Sequence, residues 1–568
     1  MVSLDSLREG SLPAVLIELG RAQTWARGHT LTFWLGASTI VASLLLGGGT
    51  RAGFLSDVIL ELLAIPAFLI ALSSLIAMPW SAGKPRAGWA LMLCLAIAVV
   101  PLFQLVPLPP WIWTRLPGRD DIATVFDLLG GLRPWMPISV ASNSTWVSFL
   151  SLLAPMAIFL TVVQLNFQER RRLTLIVIAM GVISSFVGLM QVAQGPASPL
   201  RFFAFTNTSE AVGFFANRNH FAALLYSVLL FAAAWAIDIA FKTGSWNDLK
   251  RFAAATFVVL AGCFIVLIVL IAGETVARSR AGLLLTIVAL AGAFALVFTD
   301  RRNASGVTPS KLLIGVIVLA ATLAVQFALY RILDRFAVDP MEDARIPFAH
   351  NTLRAAIAFM PFGSGMGTFV PVYGMFEPPG DVLANTFANH AHNDFVELWL
   401  ETGVIGMALF ALFAIWMVFG FIQAWWRSPR HASALDCSLV RAAAIVIALL
   451  LAHSFVDYPL RTGAMMAVFA FSCGLLIRPL WTGEAEAKPA QAPILEKPVR
   501  KTSATPVGTA PMSSSWSAPA LSRLDSPTNP LRPPSGRWGE GIEWPQEWSR
   551  LEPGEPARAV QDPEKPKK

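Results

Sequence analysis

Apolar positions along this chain gather into runs of about 20 residues, the length an α-helix needs to cross the hydrocarbon core of a bilayer. They lie near residues 31–49, 58–78, 88–107, 146–165, 172–193, 219–241, 252–273, 281–299, 311–331, 403–425, 437–456 and 463–480. The pattern predicts an all-α, polytopic integral membrane protein with about twelve transmembrane helices over residues 31–481. The first run follows the polar segment 1–30 and has no small-residue cleavage site, so it reads as a retained span. Two connections are long, 108–145 and 332–393, and long connections between packed elements commonly carry function. Beyond residue 481 the apolar runs stop. There, 15 of the 39 prolines fall in the last 87 residues, and the Pro/Ser-rich composition predicts a disordered tail over 482–568.

Composition agrees with the pattern: 55% of residues are hydrophobic and 14% charged, against roughly 25% charged in soluble domains. Basic residues in short loops are retained on the cytoplasmic side. With the N-terminus inside, every inner loop is basic: Lys84 and Arg86; Arg170, Arg171 and Arg172; Lys242, Lys250 and Arg251; Arg301, Arg302 and Lys311; Arg427 and Arg430. The formal charge of +7 therefore records topology and gives no reason to expect a nucleic-acid partner. Cys94, Cys263, Cys437 and Cys473 all lie in apolar runs without disulfide or zinc spacing.

The outer side holds arginine and no lysine: Arg201, Arg218, Arg278, Arg280, Arg335, Arg345, Arg354 and Arg461. A guanidinium grips phosphate or carboxylate oxygens by two bonds and keeps its charge, so an anionic ligand such as a diphosphate is expected. Pairing with Glu274, Asp334, Asp339 or lipid headgroups is the alternative.

The densest chemistry is HAHNDFVELWLETGVIG, His390–Gly406, which sets two imidazoles at the mouth of an apolar helix. Ionisable groups at a membrane boundary point to function. Histidine, with an ordinary pKa of about 6.5, can accept a proton at physiological pH. His392 is the candidate base and His390 a weaker candidate. Asn393 and Asp394 suit a helix cap. Glu397 and Glu401 share a helix face, and Glu401 can orient His392 or an arginine, or form a buried pair without a catalytic part. In HSFVDYPLR, Asp457 is expected to pair with Arg461 four residues on, with His453 a turn deeper. Asn217, Asn219 and His220 open the sixth run. The glycine run Gly363–Phe369 lacks the context of a phosphate loop and reads as a tight turn.

Taken in order, these motifs resemble the O-antigen ligase and polysaccharide polymerase superfamily of membrane glycosyltransferases over residues 30–480. His392, Asn393 and Asp394 followed by Glu401, Gly403 and Gly406 carry the likeness most strongly. PLPPWIWTRLPGR (Pro107–Arg119), FFANRNHFAALL (Phe214–Leu225), ARSRAGLLL (Ala277–Leu285), PFGSGMGTF and HSFVDYPLR add to it. The resemblance implies a C-type glycosyltransferase architecture in the bacterial inner membrane with a large periplasmic loop, 332–393. It also implies a glycan moved from undecaprenyl diphosphate to a hydroxyl acceptor: lipid A core, another lipid-linked glycan, or a protein serine or threonine. Carried over, His392 is the base, helped by Glu401. Arg280 and Arg218 are diphosphate ligands, Arg345 and Arg354 are looser matches, and Asn217, His390 and Asp457 complete the substrate wall. No cofactor or metal is expected, although His390, His392 and Asp394 are metal-capable. A transporter or flippase of lipid-linked glycans is the reading from a different class; against it, the two halves show no repeat and the ionisable groups concentrate in outer loops.

Overall fold

The computed structural model describes residues 30–51, 55–77, 84–242, 253–303, 340–382, 387–426 and 432–480. The expectations for the N-terminal segment, the 311–331 run, Arg335 and the 482–568 tail fall outside the described residues.

Within them the chain is helical: α1 (Thr30–Leu46), α2 (Leu55–Ala77), α3 (Lys84–Gln104), α4 (Pro110–Trp113), α5 (Asp120–Leu128), α6 (Ser142–Ser151), α7 (Leu153–Gln164), α8 (Phe167–Ala193), α9 (Arg218–Lys242), α10 (Ala253–Ala277), α11 (Arg280–Asn303), α12 (Pro340–Ala358), α13 (Phe369–Phe376), α14 (Asp394–Trp426), α15 (Ala434–His453) and α16 (Gly463–Leu476), with a 3-10 turn at Pro459–Arg461 before α16. Among the described residues the β contact is a single bridge between Leu108 and Met136. Among the described residues, eight helical segments are long and apolar enough to cross a membrane: α2, α6 with α7, α8, α9, α10, α11, α14 and α15. Three expected spans correspond to shorter apolar helices, Thr30–Leu46, Leu91–Gln104 and Gly463–Leu476. The last begins only after the Thr462 cap and ends where Ile477 turns extended, so it covers about 21 Å at 1.5 Å per residue.

α9 is the hub. Nearly all its residues are buried, and it packs against α8, α10, α11 and α15. Water gives no hydrophobic drive between helices in lipid, so association rests on close packing over small residues. A Cβ at Gly181 would meet Val228, and one at Gly188 would meet Phe221.

One end of the bundle is fastened by paired caps. Asn166 with Glu169 opens α8 and Ser433 with Asp436 opens α15 as capping boxes. Arg171 then bonds Asp436 at 2.6 Å and 2.7 Å, while Arg170 donates to the Ile477 carbonyl at 2.6 Å. This end carries the basic stretch that the sorting rule keeps in the cytoplasm.

At the opposite end α14 is broken. Gly403 has φ 58 and ψ −146, a region that only glycine enters without strain. The break separates a polar, buried entry section, Asp394–Thr402, from an apolar section that is mostly exposed. The glycine run holds the break open. Ser364 and Gly365 amides donate to the Leu400 and Glu401 carbonyls at 2.9 Å and 3.0 Å, and Val404 donates to Pro361 at 2.9 Å. Gln104 clamps both sides, donating to the Glu401 carbonyl at 2.8 Å and accepting from the Met366 amide at 3.0 Å. Two amides of the run are therefore spent on the helix, as befits a turn and not a phosphate cradle.

Candidate functional site

The site forms where the segment before α14, the turn after α15 and the start of α9 converge. The 390–393 segment is not helical; α14 starts at Asp394, whose entry Asn393 caps by accepting from the Phe395 and Val396 amides at 3.0 Å and 3.1 Å. His392 sits in the left-handed region, φ 50, which is uncommon for a residue with a side chain and marks a position held by its surroundings. The extended, bent segment lets His390 and His392 face the same neighbour. Both rings pack against Tyr458, at centroid distances of 4.3 Å and 4.8 Å, and His220 approaches the same phenol edge-on at 4.8 Å.

Asp457 is fully buried and organises one half of this cluster. Its Oδ1 lies 3.2 Å from His392 Nδ1, off the ideal hydrogen-bond direction, and 3.9 Å from His220 Nε2. Its Oδ2 accepts from the Asn219 side chain and faces Arg345 Nη2 at 4.0 Å. Burial alone would raise this carboxyl. His392, His220 and Arg345 outweigh burial and hold it well below the usual carboxylate range. A neutral His392 with its Nδ1 proton toward this carboxylate carries its lone pair on Nε2, the form a general base needs.

The other half is an ion-pair network. Arg461 reaches Glu401 at 2.6 Å, Glu397 at 3.4 Å and Asp394 at 3.4 Å. Glu397 in turn accepts from the Ala391 amide at 2.9 Å and contacts His390 Nδ1 at 2.8 Å. His390 Nε2 points at the Thr50 carbonyl at 3.2 Å. Both imidazole nitrogens thus face acceptors, an arrangement that only the doubly protonated ring satisfies. Burial would lower the His390 pKa, but the Glu397 carboxylate more than offsets it and leaves the ring above its ordinary value.

The expected Asp457–Arg461 pair does not form. α15 ends at His453 and the chain continues through a turn into the 3-10 segment, so four residues no longer measure one α-helical turn. Arg461 serves α14 and Asp457 serves His392. His453, one turn deeper, bonds the Tyr226 hydroxyl at 3.1 Å. Asn217 accepts from the Asn219 amide at 2.8 Å and so shapes the entry to α9. Arg218 pairs with Glu210 at 2.9 Å. Arg280 opens α11, half-buried, on a helix that packs directly against α9. Arg354 is exposed on α12, further along the helix that supplies Arg345. Tyr458 is the participant that sequence patterning does not single out, since a tyrosine beside Asp457 looks like ordinary core, whereas Glu397 and His220 are visible through their neighbours Glu401 and Asn219.

Residues 265–411 match the family model described as O-antigen ligase. That segment of the chain is similar to the O-antigen ligase family. The matched segment holds Arg280, Arg345, Arg354, His390, His392, Glu397 and Glu401, whereas Asn219, His220, Asp457 and Arg461 lie outside it. The fold therefore completes the matched segment with side chains from α9 and from the turn after α15. A search of curated proteins finds no match to the chain. The similarity of this segment to the O-antigen ligase family supports a membrane-bound, glycosyl-transferring role.

Proposed function

We propose that the chain is a multi-pass glycosyltransferase of the inner membrane. It moves a glycan from undecaprenyl diphosphate to a hydroxyl acceptor on the periplasmic face, the acceptor being lipid A core or a second carried glycan. The observation that carries this reading is His392, held in the left-handed conformation with Nδ1 turned to the buried Asp457 and Arg345 beside the pair.

A sugar on a diphosphate already has a good leaving group. Catalysis then needs proton removal from the incoming hydroxyl and stabilisation of the departing phosphate charge. His392 Nε2 takes the hydroxyl proton, and Asp457 fixes the ring and offsets the charge that appears on it. Arg345 stands nearest for the phosphate oxygens, while Arg280, Arg218 and Arg354 line the donor's approach. Glu401, with Glu397, acts through Arg461 as a support for the wall that carries His390 and His392. Neither step calls for a divalent cation. The eight apolar helices and the basic opposite end support a periplasmic placement. A transporter needs ionisable groups along a path through the bundle, whereas the histidines and carboxylates of this site gather at the end away from Arg170, Arg171 and Asp436.

The test replaces His392 by Asn, which tolerates the left-handed region and cannot act as a base at this pH. Purified full-length protein is reconstituted with lipid-linked glycan and a hydroxyl acceptor, with chelator present. H392N should fold and bind donor yet lose transfer to background. Wild-type turnover in H392N, or glycan moved across the bilayer without a new glycosidic bond, would overturn the assignment.

A further inference from the structure

Outside the site, a group of strongly exposed apolar side chains lies in the connection between α3 and α6. Val125 and Leu128 on α5, Leu129 at its cap and Leu132 just past the turn that follows are all exposed, Leu128 by 82% and Leu132 by 98%. Trp111 and Trp135 stand exposed on either side of that stripe. Leucines this open cannot be core, and contiguous exposed apolar surface marks an interaction face.

The stripe is presented on a firmly held base. Leu108 and Met136 exchange backbone bonds at 2.9 Å and 3.1 Å, the Trp113 indole donates to the Pro134 carbonyl at 2.8 Å, and the buried Arg119 guanidinium donates to the Ile138 carbonyl. Beyond that base, Ser139 donates to the Gln104 carbonyl and Val140 to the Ser364 carbonyl. At the tip Arg133 grips Asp127 through two bonds at 2.7 Å and 3.0 Å, and the exposed Asp120 and Asp121 lie at the start of α5, away from the leucines. A leucine stripe with a paired tip charge, charged residues at its base and flanking tryptophans has the make-up of an interfacial membrane element.

We propose that the Asp120–Trp135 hairpin is a lipid anchor, its leucine stripe seated in the bilayer leaflet on the side of the catalytic end. Continuity with the lipid face decides the occupant. Leu102 and Phe103 on α3 and Val106 just beyond it are exposed where that helix must meet acyl chains, and Trp111 carries the same exposed face into the hairpin. The anchor shares its base with the machinery: Gln104, which ends α3, clamps Glu401, and Val140 is bonded to the glycine run. Seating the hairpin in lipid thereby fixes the height of the broken helix relative to the membrane surface, where a lipid-linked donor presents its phosphates.

The test places a cysteine at Leu132, whose exposure makes loss of folding improbable on physical grounds, and labels it with an environment-sensitive fluorophore. Unsubstituted protein provides the background from the four native cysteines. Full-length protein goes into nanodiscs containing acyl-brominated lipid, and a Gly380→Cys label serves as the aqueous control. At position 132 the emission should shift to the blue, fall steeply with brominated lipid and resist aqueous iodide, while the control does the reverse. Quenching of the 132 label by iodide and not by brominated lipid would overturn the anchor. Protection from both, with energy transfer between labelled copies, would overturn it in favour of a second copy of the chain. Neither readout depends on glycan transfer.

Discussion

Replacing Asp457 by asparagine tests the catalytic geometry with the smallest change in shape. The substitution keeps volume and hydrogen-bonding capacity toward Asn219 but deletes the charge 3.2 Å from His392 Nδ1. At that distance and an effective dielectric of about 20, a carboxylate–imidazolium pair is worth about 5 kcal/mol of Coulomb energy. His220 and Arg345 share the same carboxylate, which reduces the part available to His392 to about 3–4 kcal/mol. Because the imidazolium forms only as the proton arrives, that attraction acts on the transition state more than on the resting enzyme. D457N should therefore lose about a hundred- to a thousand-fold in transfer with little change in donor affinity. The assay is initial-rate transfer in proteoliposomes at saturating donor, normalised to folded protein. Combining D457N with H392N should cost no more than H392N alone, since residues that act as a unit are non-additive. A D457N enzyme within about threefold of wild type, or a double variant showing the full sum of both losses, would refute the pairing.

Removing Arg461 as R461A leaves Glu397, Glu401 and Asp394 without their shared cation and should cost about 3–5 kcal/mol, read as a lower thermal midpoint, with Glu401→Gln in the same chain recovering part of it. The His390 pKa is raised, so its stabilisation is complete below about 6.5 and is lost as pH climbs through the raised value. The wild-type melting midpoint should fall across that window, and Gln at position 390 should flatten the curve. A Cβ at Gly403 would lie 2.1 Å from the Pro361 carbonyl oxygen in a backbone region costing about 1–3 kcal/mol for other residues; G403A should lower both the melting midpoint and transfer, and an unchanged Ala variant would remove the break from the argument.

Much of this was legible before any coordinates, and what was not has a physical cause. Apolar run length marks helices reliably because bilayer thickness sets it, and the described helices fall where the runs do. Length alone misjudged some ends, as at α16, which starts where the run starts but stops at Leu476, where Ile477 turns extended, short of the run's end at 480. The histidines were visible as titratable groups at a membrane boundary. Their partner was not, because the expected Asp457–Arg461 pair assumed helical spacing through a segment that turns. His390 also gained from the missing helix: a helical 390–393 would have pointed it away from His392, whereas the bent segment turns both rings onto Tyr458.

The two halves of the site solve opposite electrostatic problems. Asp394, Glu397 and Glu401 lie on the entry section of α14, and three buried carboxylates can share that section only because Arg461 reaches all of them and His390 takes up Glu397. In that half three carboxylates share two cationic groups, and Asp394 Oδ1 and Glu401 Oε1 accept no hydrogen bond. Asp457 is different: its His220 and Arg345 contacts are long, 3.9 Å and 4.0 Å, and His392 Nδ1 sits off the hydrogen-bond axis. Loose contacts around a buried charge leave electrostatic attraction uncommitted in the resting state, and it is there that a proton arriving on His392 would tighten the pair. The network around Arg461 therefore holds the wall, while Asp457, bonded by Asn219 and the Tyr458 amide but with its cationic neighbours at longer range, is where the reaction can draw stabilisation.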